Sequence, residues 1–399
     1  MDNIVPSIAP MPTLSIASLV LLSFLVWYIQ RLIYNIYFHR LAKFPGPKLA
    51  AASRWYEGYY DNLVADGGQY MYKVDRLHEE YGCVQTPAIP APPDSPGLPL
   101  AQDLLDKVPY MVDVFGTTLA IFGTEKHDLH RSRRMVLNPF FSKRSVTRLE
   151  SVIQDKVRQM CDSISEKKGQ TIELRHALIA TIVDVTTEYS FGRCANTLDD
   201  PDFSPEWDQM MRGVSEIVPL ARQFPGIVQI AQATPIPVIR ILNPILARYL
   251  EFEQLVRRHV IEIYSQHTEL HPANSQSHTK TGTNTSSIPS EFPPSEKPTQ
   301  TPAHSIFQQI LNNPTTSSST SSDKSELISR MTQEALSIIS AASETTSSML
   351  VTTIYHILAN SDIHERLRAE LMEAIPRPDD MVEWRVLEGL PYLPERGRE

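Results

Sequence analysis

Apolar positions in this chain recur mostly at intervals of three and four. From Ser145 to Lys167, Val146, Leu149, Val152, Ile153, Val157, Met160 and Ile164 fall on one stripe, the pattern of an amphipathic helix. A second apolar segment runs from Ile172 to Phe191, where Gly192 stops it. Trp207 to Val218 and Ile241 to Gln266 are further helical segments, the latter with Arg248, Glu251, Glu253, Arg257 and Arg258 on its expected outer face. Ser325 to Asn360 is the longest such pattern, with Ile328, Met331, Ala335, Ile338, Ile339, Ala342, Met349, Ile354 and Leu358 on its stripe. Asp362 to Ile375 follows as a short helix that Pro376 ends. Near the start, Trp55 to Tyr81 reads as one helix through Leu63, Tyr70, Val74 and Leu77, with Gly82 as its stop. The expected fold class is mainly α.

Three stretches break the pattern. Prolines between Cys83 and Gln102 exclude a helix or a central strand, which leaves a loop. Residues 271–303 and 313–325 are rich in Ser, Thr and Pro and nearly free of large apolar groups. They bury too little to offset ordering entropy, so they are expected to be disordered insertions.

The N-terminus has a different pattern. Met11 to Ile29 carries no charge and is long enough to span a ~30 Å hydrocarbon core. Trp27, Tyr28, Tyr34 and Tyr37 gather at its far end, and Arg31, His39, Arg40, Lys43 and Lys48 follow. Aromatic and basic residues on one flank predict an uncleaved anchor with the body of the chain on the cytosolic side. Phe44-Pro45-Gly46-Pro47 then makes a stiff elbow. The expected organisation is a lumenal end and anchor over 1–38, a basic proline hinge over 39–48, and one domain over 49–399.

Composition narrows the partners. At 399 residues and 42% hydrophobic content the chain can build a sizeable core. Its net charge of -9 gives no support to nucleic-acid binding. Cys83, Cys161 and Cys194 are odd in number and widely spaced, against a disulfide framework or a zinc site.

Two constellations could carry chemistry. In His127-Asp128-Leu129-His130-Arg131-Ser132-Arg133-Arg134, His130 and Arg134 lie four apart and share a helix face, where with the neighbouring cations they suit an anionic group. A solvated basic face is the plain alternative. In Ala341-Ala342-Ser343-Glu344-Thr345-Thr346, mid-way along the longest helix, two alanines would let a flat ligand approach the backbone. An acid beside an alcohol, Glu344 and Thr345, can relay protons; ordinary helix surface is the alternative for Glu344.

An apolar anchor, then FPGPKL, then HxxHRxRRxxLNPFFS, then AASETT, in that order, resembles the cytochrome P450 family, and within it membrane-bound fungal secondary-metabolism enzymes of the trichodiene oxygenase type. The resemblance covers 44–82 and 109–393. It implies a haem cofactor, with His130 in place of a family Trp and Arg134 in place of a family Arg holding the haem propionates. Pro139 matches a family Pro five residues on. It places Ala341 and Ala342 against the macrocycle, with Ala342 replacing a family Gly, and makes Glu344 and Thr345 the proton-delivering pair. It further implies electrons from an NADPH-cytochrome P450 reductase, an apolar small-molecule substrate such as a terpenoid touched near Phe115 and by 217–230, and a single-pass endoplasmic reticulum location.

The family continues after Leu390-Pro391-Tyr392-Leu393 into a helix with E-x-x-R and a cysteine loop, whereas here Pro394 to Glu399 follow. Glu395 and Arg398 mimic the spacing, but Pro394 and Gly397 disfavour a helix. Phe191-Gly192-Arg193-Cys194 lies before the longest helix, out of place for an iron ligand. No metal-ligating residue is therefore assigned. The expectation is an incomplete, inactive domain from a misread exon boundary or decayed gene. The rival is a membrane-tethered remnant without haem.

Overall fold

The computed structural model of the chain describes residues 13–39, 42–65, 67–82, 106–107, 112–224, 226–270, 305–312, 321–375, 377 and 382–393. The proline stretch 83–102, the insertion 271–303, most of 313–325, and Glu395 and Arg398 lie outside them. All regular elements among the described residues are helical. They form two units, 1–98 with 219–224, and 99–218 with 225–399.

In the first unit, α1 (Thr13–Ile33) continues as one π-helical turn, Tyr34–Phe38. Among the described residues it is the one helix long and apolar enough to cross a membrane, with a mean hydropathy of 1.5 over Ser18–Phe38 and none of that window buried. α2 (Lys48–Ala52) starts directly after Pro47, whose fixed φ suits the residue before a first turn.

The single helix expected over 55–81 is two: α3 (Trp55–Asn62) and α4 (Tyr70–Tyr81). Gly67 and Gly68 both take positive φ, and the Asp61 carboxylate accepts the Tyr70 amide at 3.0 Å, capping the second helix. Leu63, placed on the helical stripe by its spacing, is 74% exposed in the break. The stretch 219–224 packs on α3: the Trp55 and Phe224 rings meet edge-on at 5.5 Å, and Arg222 pairs with Glu57 at 3.1 Å.

The second unit contains α5 (His127–Leu137), α6 (Lys143–Glu166), α7 (Leu174–Phe191) and the part of α8 (Pro205–Gln223) before Pro219. It continues with α9 (Ile227–Ala233), α10 (Ile236–Leu242), α11 (Pro244–Leu270) and α12 (Ile306–Asn312). α13 (Ser321–Ala359), α14 (Ser361–Ala374) and α15 (Trp384–Glu388) complete it. Gly192 ends α7 in the left-handed region, as its position in the sequence suggested.

Ile179 and Val183 of α7, Val256 and Val260 of α11, and Ala335, Leu336 and Ile339 of α13 make the centre of one apolar core. Asp184 is buried there and holds the turn after α7, accepting the Thr197 amide and hydroxyl at 2.8 Å each and the Leu198 amide at 3.2 Å.

Three sequence expectations need correction. The helix expected over 241–266 is split, because Pro244 disfavours helical geometry at Asn243, which is extended at φ -151°. On α11 only part of the charged set faces water: Glu253 is half-buried, its carboxyl pushed up by burial, and Arg257 donates to Ser329 Oγ at 3.0 Å. Finally, residues 321–325, expected in an insertion, form the first turn of α13. α12, between the two insertions, was not expected; its Ile306 and Phe307 are fully buried, and Phe307 stacks on Phe191 at 5.1 Å.

Candidate functional site

α5 begins at His127 after an extended Lys126, and the Asp106 carboxylate accepts the His127 amide at 2.7 Å and pairs with Lys126 at 2.8 Å. The helix carries its cations on more than one side. Arg133 turns inward and donates to Thr124 Oγ1 at 2.5 Å. Arg134 is exposed and reaches Asn138 Oδ1 at 3.4 Å. His130 is half-buried. Burial lowers its pKa first, and the charges of Lys107, Arg134 and His127 lower it further. Lys107 itself is lowered by burial and by Arg134, and its ammonium donates to the Ile121 and Phe122 carbonyls at 3.1 and 2.8 Å. His130, Arg134 and Lys107 thus form a cationic cluster, in which each charge raises the cost of the next and favours an anion.

This cluster is tied to α13. Glu334, 5% exposed, accepts the Ile121 amide at 2.8 Å, and Gln333 accepts the Leu119 amide at 2.7 Å. Burial raises the Glu334 carboxyl, and the Ile121 amide, Arg330, Arg133 and Lys107 only partly counter it. The void beside it, bordered by Ile121, Leu137, Arg330 and Glu334, is about 10 Å³, too small for a ligand.

Seven residues further along α13, about 10 Å at the helical rise, lies the Ala341–Thr346 segment. Its residues do not share a face. Ser343 and Ser347 are buried, and Ser343 donates back to the Ile339 carbonyl at 2.7 Å. Glu344 points into the protein, where both its carboxylate oxygens accept from Arg175 Nη2 of α7 at 3.0 and 2.8 Å. Ala341 and Thr345 are exposed, Ala342 is half-buried, and Thr345 Oγ1 donates to the Ala341 carbonyl at 2.8 Å. The acid and the alcohol are adjacent in sequence, but about 100° of helix separates their directions and no hydrogen bond joins them. Ala341, Thr345 and Met349, four apart, instead form an open stripe.

Arg175 organises what lies behind Glu344. Its guanidinium also donates to Asp208 at 2.5 Å and to Ser348 Oγ at 2.9 Å, while Arg212 and His176 approach the same Asp208. Burial works against the Arg175 charge, but the hydrogen bonds to Asp208 and Glu344 outweigh it and raise its pKa. Asp208 shows the reverse balance: burial pulls its carboxyl up, and Arg175 and Arg212 bring it below the ordinary range. The sequence reading missed Arg175, Asp208, Glu334 and Lys107. One signal was available, since Arg175 is the one Arg or Lys in the segment from Ile172 to Phe191.

The described cysteines are poor metal ligands. Burial, then Asp184, pushes the Cys194 thiol up to about 11, and its sulfur accepts the Asn196 amide at 3.3 Å. Cys161, on α6, is also raised by burial. No group of three or more His, Cys, Asp or Glu among the described residues could hold a metal ion.

Comparison with known proteins gives these features a family. The profile of the family described as cytochrome P450 matches residues 109–396. The chain is 32% identical over 374 residues to cytochrome P450 monooxygenase MO6277 of Ascocoryne sarcoides, covering 90% of this chain and 67% of that protein. It is 29% identical over 393 residues to tryptophan 6-hydroxylase fscE of Fusarium equiseti, covering 95% and 69%. It is 29% identical over 376 residues to cytochrome P450 monooxygenase TRI4 of Trichoderma arundinaceum, covering 92% and 66%. The chain spans about two thirds of the length of these relatives. The family is one of haem proteins. The cationic cluster has the charge that a propionate edge would need, and the stripe of Ala341, Thr345 and Met349 is open, while the raised thiols of Cys161 and Cys194 do not suit an iron ligand. This chain belongs to the cytochrome P450 family.

Proposed function

We propose that the chain carries the substrate-side portion of a haem-thiolate monooxygenase that oxidises an apolar small molecule of fungal secondary metabolism, such as a terpenoid. The observation that supports it most is the bridge between Glu334 and the Ile121 amide, which ties the cationic cluster and the open stripe to one helix. In this reading His130 and Arg134, with Lys107 behind them, hold the propionates. Ala341 and Ala342 give the macrocycle room against α13, because a methyl group is the smallest side chain that keeps the helix. Haem supplies the chemistry of dioxygen activation when bound. The protein's own part is to hold protons near it. Thr345 presents its hydroxyl on the open stripe. Glu344 is held inward by Arg175, with Ser348 Oγ 3.4 Å from its carboxylate. Delivery through Glu344 therefore requires its side chain to leave Arg175, which makes that ion pair a gate.

Electrons would come from an NADPH-cytochrome P450 reductase on the same membrane face, with α1 as a single-pass anchor in the endoplasmic reticulum and the body in the cytosol. The second reading is a tethered, haem-free protein without catalysis. The neutral thiols of Cys194 and Cys161 favour it. Haem content of the purified chain separates the two. Stoichiometric haem that is lost in His130→Ala/Arg134→Ala supports the first; a folded chain that takes up no haem from an excess of hemin supports the second.

A further inference from the structure

A groove of about 680 Å³ lies between the start of α6 and α15, away from the α13 stripe, lined by Lys143, Arg144, Thr147, Arg148, Trp384, Arg385 and Glu388. Four cations thus face one carboxylate, and none of the four forms an ion pair among the described residues. Arg144 and Arg148 are four apart on a helix of 24 residues, so both project to the same side. Ser142 caps that helix through the Ser145 amide at 3.3 Å, which leaves the first-turn amides of Lys143 and Arg144 without intrahelical acceptors.

The opposite wall is fixed. Gln154 donates to the Val382 carbonyl at 2.9 Å, and Glu150 accepts the Trp384 amide, so α15 is hung on α6 by its backbone. Trp384 Nε1 is buried and has no hydrogen-bond partner. Only an anion entering the groove would answer the four cations.

We propose that this groove is a binding site for a phosphate-bearing small molecule with two or more negative charges. The charge count sets the valence, since one carboxylate would leave most of the cations unanswered. The volume falls within the range of organic ligand sites and has room for more than a phosphate group. Guanidinium forks match phosphate oxygens in pairs. The proposal does not depend on oxygen chemistry at α13.

The test uses the full chain in phosphatidylcholine nanodiscs, titrated calorimetrically with inorganic pyrophosphate. Saturable binding is expected, weakened at least tenfold in Arg148→Gln/Arg385→Gln and unchanged in a control Lys168→Gln/Arg258→Gln. Nanodiscs doped with phosphatidylinositol bisphosphate identify the source: weaker apparent pyrophosphate binding there assigns a lipid headgroup, and unchanged binding a free phosphate compound. Should the variants misfold, phenylglyoxal labelling of the unmodified chain decides, since pyrophosphate must protect Arg148 and Arg385 selectively. Absence of saturable binding, equal loss in the control variant, or binding of an acidic peptide without pyrophosphate would overturn the site.

Discussion

Two carboxylates ten residues apart on α13 are treated in opposite ways by the protein. Glu334 is almost fully buried and accepts a backbone amide, and its environment resists its charge. Glu344 is a third exposed and is neutralised by Arg175, which carries Asp208 as a second partner. The first site fixes a loop, residues 117–124, against the helix by a directed acceptor. The second links α7, α8 and α13 by charge. A hydrogen-bonding acid tolerates loss of its charge, whereas an ion-pair network does not tolerate loss of its centre, and the two should respond differently to substitution and to pH.

The largest effect is expected at the centre of the network. Arg175→Met leaves Asp208, with 6% of its side chain exposed, facing only Arg212 and His176, and strands Glu344. Breaking a buried pair from one side costs about 3–5 kcal/mol, and a fall of that size in unfolding free energy by urea titration is expected. A loss under about 1 kcal/mol would show that water already screens the network. Next comes Glu334→Ala, which orphans the Ile121 amide and should cost about 1–3 kcal/mol. Glu334→Gln keeps an acceptor for that amide and should cost clearly less than the alanine. Equal costs for the two would mean that charge, not acceptance, is what Glu334 supplies.

The sequence made one of these acids conspicuous and hid the other, for a physical reason. Glu344 sits among poor helix formers in a polar run, so it stands out, but the run says nothing of direction. One helical step turns Glu344 inward and Thr345 outward, and only Arg175, 169 positions earlier, decides which way. Glu334 falls three residues after Met331 on the apolar stripe, where periodicity alone counts it as a misfit. Its partner is a backbone amide in an irregular loop, a donor present at nearly every residue and therefore silent in the sequence. α6, with its strong stripe, and α7, apolar around its circumference and stopped by Gly192, were legible to within two residues. The breaks at Gly67-Gly68 and Asn243-Pro244 were written in the sequence, and helical spacing of the flanking apolar residues masked them. α12 was illegible because seven residues are too few for a period, and its burial rests on Phe191 and the core rather than on its own pattern.

The smallest effect is the pH dependence, and it separates the Asp208 network from Glu334 by sign. Asp208, at the network's centre, has a folded pKa below its ordinary 3.8, because Arg175 and Arg212 outweigh burial. Its contribution to stability is therefore present above pH 3.8 and is lost as pH falls through the lower folded value. Glu334 has a folded pKa above its ordinary 4.5, because burial outweighs its partners. Its contribution is complete below pH 4.5 and is lost as pH rises through the higher folded value. Thermal midpoints in neutral detergent across pH 3 to 7 should show each slope removed by its own variant. Relative to the parent chain, Glu334→Gln should gain ground as pH rises above 4.5, because an amide has no proton to lose. Arg175→Met should lose its disadvantage progressively below pH 3.8, where Asp208 becomes protonated in the parent as well. Glu334→Gln losing ground above pH 4.5 would mean that Arg330, Arg133 and Lys107 hold Glu334 as an ion after all, and that the two ends of α13 work by the same principle.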